Sequence, residues 1–142
     1  MTVSSNLDLV RSIFADWERG DFFSSGEWAD PEIELVQADG PEPSRATGLA
    51  AIAAAWRKRL NDFADIRVEA EEYRELDDTQ VLVLVRARGI AKTSGIDLDQ
   101  IGGERTALLV SLRDGKVTRL VAYFDRDRAL ADLGLPAEDT PR

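Results

Sequence analysis

The stretch Asp39-Gly40-Pro41-Glu42-Pro43, followed by Thr47-Gly48 and the apolar run 49–56, decides how this chain of 142 residues is interpreted. A strand-like run, Ile33-Glu34-Leu35-Val36-Gln37, comes directly before it. Asp39 is therefore predicted to lie where a strand ends and a loop leads into a helix, nine residues before Gly48. Since Asp before Gly is a common turn former, turn chemistry alone is an alternative explanation for this aspartate.

The composition is that of one soluble globular domain, with 44% hydrophobic and 32% charged residues. The formal net charge of −9 repels phosphate backbones, so no nucleic-acid partner is expected. Residues 1–6 lack the basic and apolar parts of a signal peptide, and the apolar runs are too short to span a membrane. A cytoplasmic location without membrane contact is predicted.

Two residue types are missing, and their absence restricts the chemistry. With no Cys and no His, the chain has no thiol nucleophile, no Ser-His-Asp triad and no imidazole ligand for zinc. The acidic stretch 97–102 does not form a calcium loop, because Ile101 and Leu108 occupy positions that need oxygen ligands. No metal or cofactor is therefore expected, and acid–base chemistry must use carboxylates, Tyr, Lys or Arg.

Hydrophobic periodicity divides the chain into helices followed by long strands. One domain over residues 6–135 is expected, between a flexible N-terminus, 1–5, and a flexible tail, 136–142. Asn6 is a plausible N-cap for the first helix. The predicted elements are helices 7–19, 21–29, 48–62 and 126–133, and strands 33–38, 66–76, 79–93, 102–113 and 116–125.

The long strands are apolar on both faces. Val81, Val83 and Val85 lie on one face of their strand, while Leu82 and Leu84 lie on the other. Such a sheet must be covered on both sides. Since three main helices cover one side only, a second copy of the chain is expected on the outer face, which predicts a homodimer.

The order of these elements resembles the NTF2-like (SnoaL-like) superfamily over residues 6–135. The spacing from Asp39 to Gly48 is similar to that of its ketosteroid isomerase branch. Other similar stretches are Gly20-Asp21-Phe22, Arg113-Asp114-Gly115-Lys116-Val117, Tyr123-Phe124-Asp125 and 129–135. The resemblance implies an α+β cone, in which a strongly curved, mostly antiparallel sheet wraps around three N-terminal helices and leaves a mostly apolar pocket. The fold by itself does not imply a reaction.

The resemblance also implies catalytic residues. Asp39 matches the general base of ketosteroid isomerases, and Asp125 resembles an acid–base residue of SnoaL-type cyclases. Tyr123 shares a strand face with Asp125 by period-two spacing. Asp125 is equally well placed as the N-cap of the last helix, which would explain it without catalysis.

The helpers of the isomerase mechanism are absent. Ile13 occupies the place of the family's oxyanion-binding Tyr, and Leu108 or Leu109 that of its protonated Asp. One such donor is worth about 3–4 kcal/mol of transition-state stabilisation. Ketosteroid isomerisation is therefore not expected.

Two functions stay open. The first is a cofactor-independent acid–base enzyme, of isomerase, cyclase or hydratase type, acting on a hydrophobic small molecule. The second is a non-catalytic ligand-binding or dimerisation module. Aromatics at helical spacing usually belong to a core, and Arg86 is alternatively explained by a surface salt bridge. The expected pocket-lining residues are Phe14, Trp17, Val36, Trp56 and Arg86.

Overall fold

The computed structural model describes residues 3–19, 27–39, 44–61, 63–91, 95 and 104–135. Within these residues the chain forms three helices and six strands. They follow in the order α1 (Val3–Glu18), β1 (Ala29–Gln37), β2 (Ser44–Thr47), α2 (Leu49–Asn61), β3 (Phe63–Asp77), β4 (Gln80–Ala91), β5 (Glu104–Arg113), β6 (Lys116–Tyr123) and α3 (Arg126–Asp132). No helix of the described part is both long and apolar enough to cross a membrane.

The six strands form one open sheet in the order β2-β1-β6-β5-β4-β3. All neighbours are antiparallel except β1 and β6, which run parallel. The sheet curves around the helices, because α2 contacts β1 and β2 at one edge and β3 at the other. The predicted α+β architecture with a curved, mostly antiparallel sheet is confirmed. The predicted second helix, 21–29, falls mainly outside the described residues, and Ala29 already belongs to β1.

The main core lies between the concave face of the sheet and helices α1 and α2. Val10, Phe14 and Trp17 face it from α1 at helical spacing, and Ile52 faces it from α2. Val81, Val83 and Val85 come from β4, and the alternate residues of the neighbouring strands complete this core. The valines that were predicted to share one face of this strand are thus part of the main hydrophobic core.

Helix α1 begins earlier than its hydrophobic pattern indicates. It starts at Val3, so Asn6 lies inside the helix and the prediction that it is the N-cap was wrong. The Asn6 side chain is buried, and its Nδ2 donates to the carbonyl oxygen of Asp78 at 2.7 Å. Asn6 therefore ties α1 to the β3–β4 turn, a contact 72 residues away that no local pattern reveals.

Helix α3 covers the outer face of the sheet. Leu82 and Leu84 are 0% and 1% exposed there, and Ala129 and Leu130 of α3 pack against them. The chain by itself thus buries the apolar face that was assigned to a second copy. The homodimer stays a prediction, but its supporting argument is weaker, because seven residues of helix are enough to cover these leucines.

Turn chemistry explains two further details. Asp114 and Gly115 have φ angles of 53° and 77°, as the two central residues of a type I′ hairpin require, which confirms the predicted Asp-Gly turn.

Pro31 lies in β1 where the pairing with β6 shifts register between Ala29 and Glu34. Since proline has no N–H to donate, it is tolerated at such a bulge.

Candidate functional site

Asp39 lies two residues beyond the end of β1 and is only 4% exposed. Its Oδ1 accepts the backbone N–H of Phe124 at 2.7 Å, and its Oδ2 accepts that of Asp125 at 3.0 Å. Gln37 Nε2 lies 3.5 Å from the same Oδ1. The carboxylate is thus buried as a catalytic base would be, but both of its oxygens hold backbone amides.

The parallel pairing of β1 and β6 brings Asp39 to this position. The carboxyl ends of parallel strands meet at one edge of a sheet, and Ala38 N donates to Ala122 O at 2.9 Å across this pair. Gln37 Nε2 also donates to Ala122 O, at 3.1 Å. Asp39 therefore stabilises the junction between the end of β6 and the start of α3, 85 residues later in the chain.

Asp125 was predicted to be either an acid–base residue or the N-cap of the last helix, and the structure shows the N-cap. It is the N-cap of α3, and its Oδ1 accepts the backbone N–H of Asp127 at 3.0 Å. Its own side chain is exposed, while its backbone N–H is held by Asp39. The two aspartates are adjacent in space, and each satisfies backbone donors at the start of the same helix.

Tyr123 faces the outer side of the sheet. It packs in the same cluster as Leu82 and Leu130, and its hydroxyl donates to Asp132 of α3. Burial raises the pKa of Tyr123, and the Asp132 carboxylate raises it further. The Asp39 carboxylate also contributes to this rise, so it lies near the Tyr123 hydroxyl. Tyr123 is thus occupied in the packing of α3, and its role in catalysis stays a prediction.

The concave side carries a cluster of five aromatic rings that we call the aromatic cluster. Trp17 is central: its ring centroid lies 4.9 Å from that of Phe14, 5.8 Å from Trp56 and 6.2 Å from Trp28. Tyr73 joins through an edge-to-face contact with Phe14 at 6.2 Å. Trp17 is buried, whereas Trp28 and Trp56 are half-buried. Phe14, Trp17 and Trp56, which were expected to line a pocket, are thus brought together.

The surroundings of this cluster are mostly apolar. Ile13 and Leu108, at two of the places where isomerases carry oxyanion donors, are buried in the same core. Arg11 lies over the Tyr73 ring, 5.3 Å from its centroid. Burial raises the pKa of Tyr73, Glu18 adds to this, and Arg11 opposes it. The tyrosine is therefore kept in its neutral form.

Val36 and Arg86 lie on the outer face, so neither can line a pocket on the concave side. Val36 packs against the Leu82 cluster. Arg86 alternates with the buried Val85 along β4 and pairs with Glu71, with Arg86 Nε 2.8 Å from Glu71 Oε2. The alternative explanation of Arg86 as a salt-bridge residue is the one that the structure supports.

Sequence reasoning missed Arg126. Its side chain is 5% exposed, its Nε donates to Thr106 O at 3.1 Å, and its Nη2 donates to Val85 O at 2.8 Å and to Glu71 at 2.6 Å. An arginine at the first position of a short helix usually points to solvent. No local signal could have revealed this role, since its partners lie 20, 41 and 55 residues away.

Glu71 makes the stability of the fold depend on pH. Burial by itself would raise the pKa of this carboxyl, but hydrogen bonds and positive charge from Arg126 and Arg86 hold the pKa below its usual 4.5. Since the unfolded chain then binds more protons, Glu71 stabilises the fold above its unfolded pKa, and this contribution is lost as the pH falls through its folded pKa.

We therefore expect that in the Glu71→Gln variant the free energy of unfolding decreases less steeply as the pH falls below about 4.5. Urea unfolding at a series of pH values between about 3 and 7 measures this slope. Glu75→Gln, an exposed change on the same strand, is the matched control. Equal slopes for the wild type and the Glu71 variant would contradict the assignment.

Comparison with known proteins places the chain in a family. A profile described as a SnoaL-like domain matches residues 10–120. The uncharacterized protein Rv0034 of Mycobacterium tuberculosis is 32% identical over 136 residues, which covers 87% of this chain and 92% of that protein. Both matches span most of the chain, so they concern the whole domain.

Solved structures show the same fold at low sequence identity. An NTF2-like protein of unknown function from Burkholderia pseudomallei superposes with a TM-score of 0.72 at 18% identity, covering 89% of this chain and 95% of that one. TerC, co-crystallized with polyporic acid, superposes with a TM-score of 0.71 at 19% identity, covering 92% and 97%. The chain belongs to the SnoaL-like domain family and has an NTF2-like fold.

Proposed function

We propose that the protein binds a hydrophobic, ring-containing small molecule on the concave side of the sheet, against the aromatic cluster. The arrangement of Trp17, Trp28 and Trp56 is the observation that carries this proposal. Offset and tilted aromatic contacts add about 0.5–1.5 kcal/mol each beyond area burial, so a planar ligand gains from these rings. Half-buried Trp28 and Trp56 retain ring surface for such a contact.

The chemistry around the rings supports an apolar ligand. Among the described residues, the buried polar or charged side chains are Asn6, Gln37, Asp39 and Arg126. Of these, Gln37 shares the concave strand face with Ile33, by period-two spacing. Small-molecule sites are typically apolar with a few polar groups that fix orientation. TerC, which shares the fold, has been crystallized with the small molecule polyporic acid.

An acid–base enzyme is the second candidate, and the burial of Asp39 is what favours it. A base needs a free lone pair within reach of the proton that it removes. Asp39 already accepts two backbone N–H groups, so catalysis would have to use its remaining lone pairs. Because Ile13 and Leu108 or Leu109 occupy the places of the expected oxyanion donors, binding without turnover is the function that the geometry supports better.

Intrinsic fluorescence tests the binding proposal directly, because all three tryptophans of the chain belong to the aromatic cluster. We expect the neutral fluorophore N-phenylnaphthylamine to quench tryptophan emission saturably. We expect Trp56→Leu to weaken its affinity by roughly 2–10-fold, the equivalent of one aromatic contact. Affinity is measured through the fluorophore's own emission, so that variants remain comparable.

Leu76→Ala is the matched control, since Leu76 is a half-buried apolar residue packed against the outer cluster. It should leave the affinity unchanged. Equal weakening in the two variants, or quenching without saturation, would contradict a site on the concave side. Should a substrate be found, Asp39→Asn separates the candidates: loss of turnover in folded protein that still binds favours the enzyme.

A further inference from the structure

A patch rich in arginine lies on the outer face of the sheet, beside the start of α3. Cross-strand register places four arginines and one glutamate on this face of β3, β4 and β5, and Arg126 reaches it from α3 through Glu71. We call this set the arginine patch. It consists of Arg67, Arg86, Arg88, Arg105, Arg126, Glu69 and Glu71.

The charge of this patch is opposite to that of the protein. Five guanidinium groups stand against two carboxylates among its members, in a chain whose formal net charge is −9. Clustered charge of one sign creates a local potential that attracts counter-ions. The excess of positive charge among these members therefore favours an anion at the patch.

Like charges face each other directly across the strands. Arg67 is opposite Arg88 in the β3–β4 pair, and Arg86 is opposite Arg105 in the β4–β5 pair. Side chains at such positions are close neighbours, and like charges there are destabilising. An anion that bridges the two strands would relieve this repulsion.

The patch already binds carboxylates of the chain itself. Glu71 lies between Arg86 and Arg126, with its two oxygens 2.8 and 2.6 Å from their nitrogens, and Glu69 pairs with Arg88. Planar guanidinium groups suit carboxylate and phosphate oxygens. All five arginines have further contacts within the chain, so an added anion would extend an existing network.

We propose that the arginine patch is a binding site for a small oxyanion with at least two negative charges, either a phosphate or a polycarboxylate. Arg67 is exposed, and the side chains of Arg86 and Arg88 are 25% and 28% exposed, so their guanidinium groups are within reach of solvent. The site lies on the opposite face of the sheet from the aromatic cluster. It is therefore independent of the function proposed for the concave side.

Thermal unfolding in phosphate and in citrate, each compared with chloride at equal ionic strength, tests the proposal. For a Kd of about 1 mM, a tenfold excess of either anion should raise the Tm by about 4 °C. The double variant Arg67→Gln/Arg105→Gln should lose this shift. The double variant Arg113→Gln/Arg119→Gln, which changes exposed arginines of β5 and β6 with the same change in charge, should keep it.

The Tm shifts of the wild type and the two double variants together decide whether the site exists. A shift in phosphate alone, or in citrate alone, supports the site and identifies its ligand chemistry. Equal shifts in all three proteins would overturn it, because multivalent anions also stabilise folded proteins by exclusion from their surface. The absence of any shift beyond chloride in the wild type would overturn it as well.

Discussion

Replacement of Asp39 by asparagine is expected to lower the free energy of unfolding by about 2–3 kcal/mol, since hydrogen bonds to a charged group contribute about 1.5–3 kcal/mol each. The asparagine oxygen can still accept one of the two N–H groups that Asp39 holds. Its NH₂ group would then face the other N–H, donor against donor. The change keeps size and shape, so the loss reports the hydrogen bonds themselves.

Urea unfolding followed by circular dichroism measures this loss. Asp125→Asn is the matched control, because Asp125 is exposed and asparagine is as good an N-cap as aspartate. It should change stability by no more than about 0.5 kcal/mol. If both variants were equally stable, the amide contacts of Asp39 would not contribute to the fold, and its burial would call for a catalytic explanation.

Replacement of Arg126 by alanine is expected to cost about 3 kcal/mol, the usual scale for removing one partner of a buried charged network. Thr106 O, Val85 O and Glu71 would all lose a donor in one step. The first two are backbone groups of β4 and β5, where the outer face meets α3. We therefore expect α3 to leave the sheet more readily than the strands separate from each other.

Hydrogen exchange of the α3 amides, together with urea unfolding, measures both effects. Arg128→Ala is the matched control: its side chain is 55% exposed, and it pairs with Asp132 at 3.8 Å. Exposed pairs of this kind contribute about 0.5 kcal/mol or less. Faster exchange in α3 for both variants alike would show that Arg126 does not hold the helix specifically.

The two predictions concern one structural feature, the attachment of a short helix by charged groups. α3 has only seven residues, and few of its side chains are buried apolar ones. Asp39 accepts hydrogen bonds from the backbone just before the helix. Arg126, in the first turn of α3, donates to carbonyl oxygens of two strands. Near the end of α3, Asp132 accepts a hydrogen bond from Tyr123. Its stability therefore depends on polar contacts more than that of α1 or α2.

The long strands and the two longer helices were predictable from the sequence. The strands within 79–93 and 102–113 were recognisable as long apolar runs, because their described parts are buried on both faces. The Asp114-Gly115 turn then identifies the strand that pairs with the second of them. Strand β2 was not predicted, because four residues are too few for a recognisable period. The start of α1 was misjudged because residues 4–6 are polar, so the helix extends beyond its apolar pattern. The tertiary contact of Asn6 with Asp78 could not be foreseen from local sequence.

The sequence alone determined the family and the order of the longer elements, and it singled out Asp39, since each depends on local patterns and spacing. Only the tertiary structure decided what Asp39 and its predicted partners do. The parallel β1–β6 pair brings the carboxylate to amides 85 and 86 residues away, while Tyr123 packs in the outer cluster beside α3. Hydrogen bonds between distant segments leave no periodicity in the chain, which is why the amide contacts of Asp39 and the buried Arg126 appeared only in three dimensions.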